Sequence, residues 1–396
     1  MMLQQISPEK DRLIYEIKKI GADPYALKMW EKGVNINIKF KNISYAQANI
    51  IKQEAIASGI DAVVSKGTVS GAKERTDILI LGNINGVRRL VKRLKLQPFG
   101  LEKLAEDISF LISAKRKDYF LARDKKIELS KTVIMGILNA TPDSFSDGGL
   151  YLSEESIGER LALLNKYSDI IDIGGESTRP GAAEITDSEE INRISYPLEK
   201  ALELTDKVIS VDTTKSKVAE YALKKGAHMI NDISGLTFDA DMARVCADFG
   251  AAVCIMHIKG RPKDMQENTD YGNMLEEIKC FLHDRIDYAL KMGIDEDKII
   301  IDPGIGFGKS LEDNYVIIKY LKEFESFGFP LLIGLSRKSL IGKVDGSKAN
   351  ERDLTSKVLE AISVVNGADI IRTHDVENLS KIITVVDFYK KVNIND

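Results

Sequence analysis

The sequence contains few of the residues that mark secreted, membrane or metal-cluster proteins. Its 396 residues include only three cysteines, Cys246, Cys254 and Cys280, with no CxxC spacing, so we expect buried thiols in a reducing cytoplasm. No apolar run approaches the roughly 18 residues of a membrane helix. The first residues, MMLQQISPEKDR, lack the apolar core of a signal peptide. We therefore expect a cytoplasmic protein with no membrane segment.

Charge is distributed unevenly along the chain, although the net charge is only -4. Residues 1–130 have a balance of +9, and residues 131–396 have a balance of -13. A split of this kind suggests two domains. We predict a small basic α/β domain over residues 1–122 and a larger domain over residues 123–396.

The first domain has the pattern of a β-α-β-β-α-like unit with helices at either end. NINIKF alternates as a half-buried strand does, and the next helix opens at Ser44 and closes at Gly59. The loop over residues 66–76 is basic and contains glycine, so it is either a solvated hairpin loop or an anion site. No catalytic constellation is visible in this region.

From residue 127 onward, short apolar runs alternate with helical patterns. The eight runs are VIMGILN (133–139), DIIDIGG (169–175), VISVDT (208–213), HMINDIS (228–234), AVCIMH (252–257), KIIIDPG (298–304), PLLIGLS (330–336) and DIIRTHD (369–375). Eight β-α units in about 265 residues predict a (β/α)8 TIM barrel. The alternative is a doubly wound open sheet, but no GxGxxG follows the first strand.

Every predicted strand ends in residues that can do chemistry. They are Asn139, Glu176, Asp212, Asn231 with Asp232, His257, Asp302, Ser336 with Arg337, and Arg372 with His374. Barrel enzymes carry their active site at this end of the strands. Caps of the following helices could explain one such residue but hardly all eight.

Two groups of these residues suggest a ligand with a flat ring and an anionic end. Carboxylates and an amide at Asp212, Asn231 and Asp302 suit a heterocycle with a guanidine-like N–H edge, and Lys338 could meet a ring carbonyl. Two further candidates could pack against the ring faces, Met256 and Phe307. At the last two strands, the usual phosphate corner, the candidates for a pyrophosphate are Ser336, Arg337, Lys338, Arg372 and His374.

The loop GGESTRPGA (174–182) is the second conspicuous loop. Thr178 and Arg179 precede Pro180 in it. The functional interpretation is a mobile lid that brings one more cation to an anion. The alternative is a solvated surface arginine.

Seven motifs in order resemble the dihydropteroate synthase family of pterin-binding enzymes. They are MGILNATPDSFSDGG, DIGGESTRPGA, SVDTTKS, INDISG, DPGIGFGK, GLSRKSLIG and IRTHDV. The resemblance covers residues 127 to 390 and leaves the basic N-terminal region unexplained. It implies condensation of 6-hydroxymethyl-7,8-dihydropterin pyrophosphate with p-aminobenzoate, giving 7,8-dihydropteroate and pyrophosphate.

The resemblance also implies a role for individual residues. Pterin binding falls to Asp212, Asn231, Asp302, Lys338, Met256 and Phe307. Pyrophosphate binding falls to Arg372, His374, Arg179 and Thr178, with Mg²⁺ on Asn139. The p-aminobenzoate pocket is formed by Phe145, Thr178, Arg179, Pro180 and Ser336. The catalytic and lid residues are Asp143, Arg179 and Lys338.

The implied mechanism is dissociative, with pyrophosphate leaving before the amine attacks a pterin cation, so no nucleophilic serine or cysteine is needed. The resemblance further implies a homodimer and a sulfonamide target. Two alternatives remain for the barrel, a pterin-binding methyltetrahydrofolate methyltransferase and a non-catalytic pterin-binding barrel. We expect the N-terminal domain to bind another folate-pathway protein or to assist assembly, and not to bind nucleic acid.

Overall fold

A computed structural model describes residues 3–113, 116–141, 154–178 and 181–393. It divides into two compact units, one reaching Lys115 and the other running from Arg116 to Lys391. The sequence analysis placed this boundary after residue 122. The earlier boundary arises because a hairpin directly after Arg116 packs with the second unit.

The N-terminal unit is a three-stranded sheet covered by helices. Its elements are α1 (Lys10–Lys19), a 3-10 helix (Pro24–Lys32), β1 (Asn35–Ser44), α2 (Tyr45–Ala57), β2 (Asp61–Val64), β3 (Arg75–Asn83), α3 (Ile84–Leu94) and α4 (Leu101–Ser113). Strand β3 lies between β1 and β2 and is antiparallel to both. The Ser44 and Gln47 side chains form a capping box that starts α2. The predicted small α/β unit is confirmed.

This unit has a hydrophobic core of its own. Alternate residues of β1 and β3, among them Ile38, Ile78 and Ile80, face α2 and α3 and are almost fully buried. Apolar residues of α3 such as Leu90 complete the cluster. The period-two pattern of the strands and the amphipathic helices account for this packing.

The second unit contains a short hairpin and eight parallel strands. The hairpin is β4 (Tyr119–Ala122) with β5 (Lys125–Glu128). The parallel strands are β6 (Val133–Asn139), β7 (Ile170–Gly174), β8 (Val208–Asp212), β9 (Met229–Asp232), β10 (Ala252–Met256), β11 (Ile299–Asp302), β12 (Leu332–Gly334) and β13 (Ile370–Thr373). They are ordered β11-β10-β9-β8-β7-β6-β13-β12, and a parallel bridge between Ile301 and Leu331 joins the two ends. The predicted TIM barrel is confirmed.

Helices surround the barrel. They are α5 (Glu154–Tyr167), α6 (Asp187–Leu204), α7 (Ser216–Lys225), α8 (Met242–Asp248), α9 (Met274–Lys291), α10 (Leu311–Lys319), α11 (Ser339–Asp345), α12 (Asp353–Val365) and α13 (Val376–Lys391), with 3-10 turns at Glu296–Lys298, Leu321–Phe327 and Ala349–Glu351. Within the described ranges, none of the helices has the length and apolar character needed to cross a membrane.

The barrel interior is filled at its amino-terminal end by an apolar cluster, called here the floor. Its buried members are Phe120, Ala122, Val133, Met135, Ile170, Val208, Met229, Ala252, Cys254, Ile300, Leu332 and Ile370. Phe120 comes from the hairpin and is fully buried. The floor therefore closes one end of the barrel, so the other end holds the cavity in which ligands can bind.

Candidate active site

Strand register brings the predicted polar residues side by side at the carboxyl ends of the strands. Asn139 lies opposite Gly174, Gly174 opposite Asp212, and Asp212 opposite Asn231. Across the barrel mouth, Met256 pairs with Asp302, and Gly334 pairs with Arg372. The barrel thus collects side chains that are more than 200 residues apart in the chain.

Arg372 is the centre of a network of buried charges. Its Nε donates to Asp172 Oδ2 at 2.6 Å, and its Nη2 donates to Asp212 Oδ2 at 2.7 Å. Asn231 Nδ2 donates to the same Asp172 oxygen at 3.2 Å. Asp172 was not among the site residues predicted from the sequence. A charged residue two positions before the end of an apolar strand was the available signal, because a buried carboxylate requires a partner.

The protonation of Asp212 is finely balanced. Burial raises the pKa of Asp212 to about 7, although the nearby Arg372 guanidinium acts to lower it, and Asp172 adds a like charge that raises it. A group with a pKa near neutrality in a cleft is a common feature of functional sites. Asp212 can therefore change charge when a ligand or a cation changes its surroundings.

Asp302 and Lys338 are near enough for each to influence the pKa of the other. Burial raises the pKa of Asp302, and the Lys338 ammonium opposes that shift. Burial lowers the pKa of Lys338 to about 8. The Lys338 Nζ donates to the carbonyl of Ile305 and lies 4.7 Å from the centre of the Phe307 ring. These contacts hold a cation, a carboxylate and an aromatic face around one space.

The loop after β11 needs glycine and an internal lysine to adopt its shape. Gly304 has a φ of +74°, and a Cβ there would lie 1.9 Å from the carbonyl oxygen of His257. Lys309 is buried and bonded to His257 Nδ1 at 2.9 Å and to the carbonyl of Phe307 at 3.0 Å. Burial lowers the pKa of His257 to about 2, so this histidine is a neutral packing partner. The contact between Lys309 and His257 fixes the loop that carries Phe307.

A second chain of contacts connects Asn139, His374 and Ser336 at the rim. Asn139 Nδ2 lies 3.4 Å from His374 Nε2, and Ser336 Oγ lies 3.0 Å from His374 Nδ1. Ser336 Oγ also accepts the backbone N–H of His374 at 3.1 Å. Burial lowers the pKa of His374 to about 3. His374 is therefore neutral here and orients its two polar neighbours.

Two glycines keep the mouth open. A Cβ on Gly174 would lie 3.6 Å from Asp212 Cβ and 3.8 Å from Asn139 Oδ1. A Cβ on Gly334 would lie 3.8 Å from Arg372 Cβ and 4.0 Å from Lys338 Nζ. A larger side chain at either position would occupy space between the polar residues. Neither glycine was identified from the sequence as part of the site.

A cavity of about 160 Å³ opens beside this cluster and shares Asp212 with it. Thr178, Lys215, Phe238 and Arg261 contribute to its walls. Thr178 is thus close to Asp212 at the rim. Four predicted residues lie outside the described part of the chain: Asp143, Phe145, Arg179 and Pro180.

Two strand-end residues serve the surrounding loops. Glu176 accepts the backbone N–H of Ile185 at 2.9 Å and a bond from Lys215 at 2.8 Å, so it fastens its own loop. Arg337 forms a two-pronged ion pair with Asp353, with both distances 2.7 Å. Within the described residues, neither side chain forms a hydrogen bond with Arg372, Asp172, Asp212 or Asn231.

Comparison with known proteins identifies the family. Residues 135–374 match the family model described as pterin binding enzyme, which is more than half of the chain. A dihydropteroate synthase of Synechocystis is 44% identical over 260 residues, which are 65% of this chain and 90% of that protein. The chain belongs to the dihydropteroate synthase family. It is therefore a transferase of folate biosynthesis, and the resemblance found in the sequence is confirmed.

The structural comparison agrees with this family. A Yersinia pestis dihydropteroate synthase, solved as a sulfonamide drug complex, superposes with a TM-score of 0.67 at 37% identity. The match covers 69% of this chain and all of that protein. These similarities to synthases give no support to the methyltransferase or the non-catalytic alternative.

One relative also resembles the N-terminal unit. A probable bifunctional folylpolyglutamate synthase/dihydropteroate synthase of Halobacterium salinarum is 34% identical over 361 residues. The match covers 91% of this chain and 43% of that protein. The similarity therefore extends well beyond the barrel, and the N-terminal unit has a counterpart in another family member.

Proposed function

We propose that this synthase joins 6-hydroxymethyl-7,8-dihydropterin pyrophosphate to p-aminobenzoate, with the pterin deep in the barrel mouth and the pyrophosphate at the rim. The observation that carries the proposal is the convergence of Asp212, Asn231, Asp302 and Lys338 around Arg372 above a closed floor. Carboxylates and an amide beside the closed end of the barrel suit the N–H edge of a pterin.

Each residue of the pterin site has a distinct task in this proposal. The ionised carboxylates of Asp212 and Asp302 accept ring N–H groups, and Asn231 offers its amide. Lys338 donates to the ring carbonyl in place of its present bond to the Ile305 carbonyl. Two apolar side chains would pack on the ring faces, Met256 and Phe307, which share one cluster. The ring is then fixed in orientation before any bond breaks.

The pyrophosphate is assigned to the rim. Arg372 donates through Nε and Nη2, and its Nη1 has no hydrogen-bond partner among the described residues, so the guanidinium keeps a donor for an anion. His374, Thr178 and Arg179 complete the predicted anion site. Burial lowers the pKa of His374 in the ligand-free site, so this side chain would meet the pyrophosphate as a neutral hydrogen-bond partner.

Mg²⁺ fits this site only if the substrate supplies ligands to the ion together with the protein. The described residues contain no group of three His, Cys, Asp or Glu side chains that could hold a metal. Asn139 presents a hard amide oxygen, and Mg²⁺ commonly takes most other ligands from phosphates and water. When bound, Mg²⁺ would neutralise part of the charge on the departing pyrophosphate.

The proposed reaction breaks one bond and forms another at the exocyclic methylene carbon of the pterin. The C–O bond to pyrophosphate breaks first, and the oxygen keeps the electron pair. Carboxylates near the ring, Asp212 above all, stabilise the pterin cation that remains. The neutral arylamine then forms the C–N bond and loses its proton to solvent.

The aminobenzoate is assigned to the rim pocket beside Ser336 and Thr178. Its remaining predicted walls are Phe145, Arg179 and Pro180. A sulfonamide that mimics p-aminobenzoate would compete for the same pocket, and the Yersinia relative was solved with such a drug. We therefore propose that sulfonamides inhibit this enzyme competitively with p-aminobenzoate.

Pyrophosphate release from the pterin substrate with Mg²⁺ tests this function. We expect release that depends on p-aminobenzoate and that is abolished by Lys338→Ala. A matched control is Lys343→Ala, on the exposed side of α11 in the same segment. Pterin binding without turnover by the intact chain would contradict the proposed reaction.

We also propose a homodimer through α12 and α13. Both helices expose apolar side chains at helical spacing: Leu354, Val358, Ile362, Val365, Val385, Phe388 and Tyr389. An apolar surface of this extent commonly marks a protein interface. Sedimentation of Val358→Lys against the unaltered chain tests it, with a monomer expected for the variant.

For the N-terminal unit we propose a role in assembly or in binding another folate-pathway protein in the cytoplasm. The arginines of α3 bind within the unit, Arg88 with Glu31 and Arg93 with Glu54. This internal pairing leaves less positive charge for nucleic acid. Turnover of the full chain against a chain starting at Arg116, with folding checked by circular dichroism, tests whether the unit supports catalysis.

A further inference from the structure

Arg372 is held by two carboxylates that differ in their access to ligands. The Asp172 side chain is completely buried, whereas the Asp212 side chain is 12% exposed and the Arg372 side chain 21% exposed. The ion pair of Arg372 with Asp172, called here the inner ion pair, therefore lies beyond the reach of a ligand. The ion pair of Arg372 with Asp212, the outer ion pair, lies within reach.

Asp172 is arranged as an anchor. One of its oxygens, Oδ2, accepts both the Arg372 Nε and the Asn231 amide. The other, Oδ1, is buried and has no hydrogen-bond partner within the described residues. A completely buried carboxylate with an unmatched oxygen is costly for stability, so Asp172 requires an explanation other than packing.

The outer ion pair conflicts with the proposed binding of substrate. Arg372 Nη2 occupies an oxygen of Asp212, yet the proposed function needs Asp212 for the pterin and Arg372 for the pyrophosphate. Full engagement of the Arg372 guanidinium by the pyrophosphate and of the Asp212 carboxylate by the ring therefore requires this 2.7 Å contact to break. If the pyrophosphate takes Nη2, the Asp212 carboxylate is released toward the ring.

We propose that Asp172 is the pivot of this exchange: it holds Nε of Arg372 while Nη2 moves from Asp212 to the pyrophosphate. This inference rests on the proposed function and deepens it. A planar guanidinium can keep one donor fixed while another changes partner. Asp172 is thus a positioning residue, and it couples the anion site to the ring site.

The coupling is measurable because the two halves of the substrate can be added separately. Calorimetry would give the affinity for 6-hydroxymethylpterin with and without inorganic pyrophosphate and Mg²⁺, using the full chain. We expect pyrophosphate to tighten pterin binding about tenfold, within the range usual for coupled sites. In Asp172→Asn, Arg372 has only Asp212 as an ionic partner, so the enhancement should fall below twofold.

Asp232→Asn is the matched control. Asp232 is equally buried, but it accepts the backbone N–H groups of Ser234 at 2.8 Å and Leu236 at 2.9 Å, with no recorded bond to Arg372. This variant should lose stability and keep the tenfold enhancement. If Asp172→Asn does not fold, Arg372→Lys replaces it, because an ammonium cannot bridge the two carboxylates as a fork, and the same loss is expected.

The outcomes separate the pivot from the proposed function. Enhancement retained in Asp172→Asn, or in Arg372→Lys, would overturn the pivot. Pterin binding by the unaltered chain without any enhancement would also overturn it and leave the synthase function intact. An unaltered chain that binds no 6-hydroxymethylpterin would overturn both.

Discussion

The two ends of the barrel interior are built from the same strands and serve opposite purposes. At the floor, inward positions such as Ile170, Met229 and Ile370 are apolar and fully buried. Two residues further along the same strands stand Asp172, Asn231 and Arg372. Because alternate residues of a strand point to the same side, a step of two residues separates the core from the site.

This comparison shows where the molecule gains stability and where it retains reactivity. The floor excludes water and contains apolar contacts. The mouth holds several charged groups whose pKa values are displaced by burial, including Asp212, Asp302 and Lys338. Changes at the mouth should therefore alter catalysis before stability, and changes at the floor should do the reverse.

The largest expected effect is at the mouth, in Asp212→Asn. The amide keeps the shape but cannot stabilise a cation or accept as strongly, so kcat/KM should fall about 1000-fold, in line with the loss of a key electrostatic group. Steady-state pyrophosphate release would measure it. The control is Asp248→Asn on the exposed part of α8, and a fall of less than tenfold in Asp212→Asn would contradict its assigned role.

The complementary change at the floor is Phe120→Ala. Removing a completely buried aromatic side chain should lower the free energy of unfolding by about 3–5 kcal/mol. Denaturant titration would measure this loss, and kcat of the folded enzyme at low temperature should stay within twofold. Tyr119→Ala alters the partly exposed neighbour and should cost far less. Equal losses for the two variants would show that the floor contributes no special stability.

The two ends should also respond oppositely to pH. Burial beneath the barrel lowers the pKa of His228 to about 4, below the value of an unfolded histidine, and Lys125 assists. Between pH 6.5 and 4 the unfolded chain binds more protons, so stability falls on acidification, by about 3 kcal/mol. For Asp212 the raised pKa means that the folded chain binds more protons between pH 4 and 7, so its contribution falls as pH rises.

His228→Asn tests the contribution of His228 to this pH dependence. Its unfolding free energy, measured by denaturant titration from pH 4 to 8, should lose the acid-sensitive component. His283→Asn, at an exposed position on α9, should keep the original curve. Identical slopes for both variants would rule out His228 as the source.

The smallest expected effect is at Gly334→Ala. The new methyl group would meet Arg372 and Lys338 at ordinary contact distances, so the barrel should fold, with stability changed by less than about 1 kcal/mol. The methyl group would reach into the pterin space, so KM for the pterin substrate should rise about tenfold. Gly158→Ala, on α5 with no atom near the added methyl, should leave KM unchanged.

Sequence reasoning predicted the barrel because its strands are uniformly apolar and regularly spaced. It also predicted most of the polar residues at the mouth, since each stands at a strand end. Asp172 was not predicted because it lies inside the apolar run DIIDIGG, whereas Glu176 follows that run at the strand end. The partner choices of Arg372 and Arg337 could not be predicted, because they depend on which carboxylates the closed barrel brings within reach.

The hairpin that contributes Phe120 to the floor affects how substrates enter the barrel and how products leave it. Phe120 packs into the apolar cluster at the amino-terminal end of the barrel, so among the described residues the open end is the one where the polar strand ends lie. In the proposed binding mode the pterin ring lies deeper than the aminobenzoate, so we expect the pterin substrate to bind first and the product that contains the ring to leave last. The closed end of the barrel would then determine the order of substrate binding and product release, although it lies far from the reacting atoms.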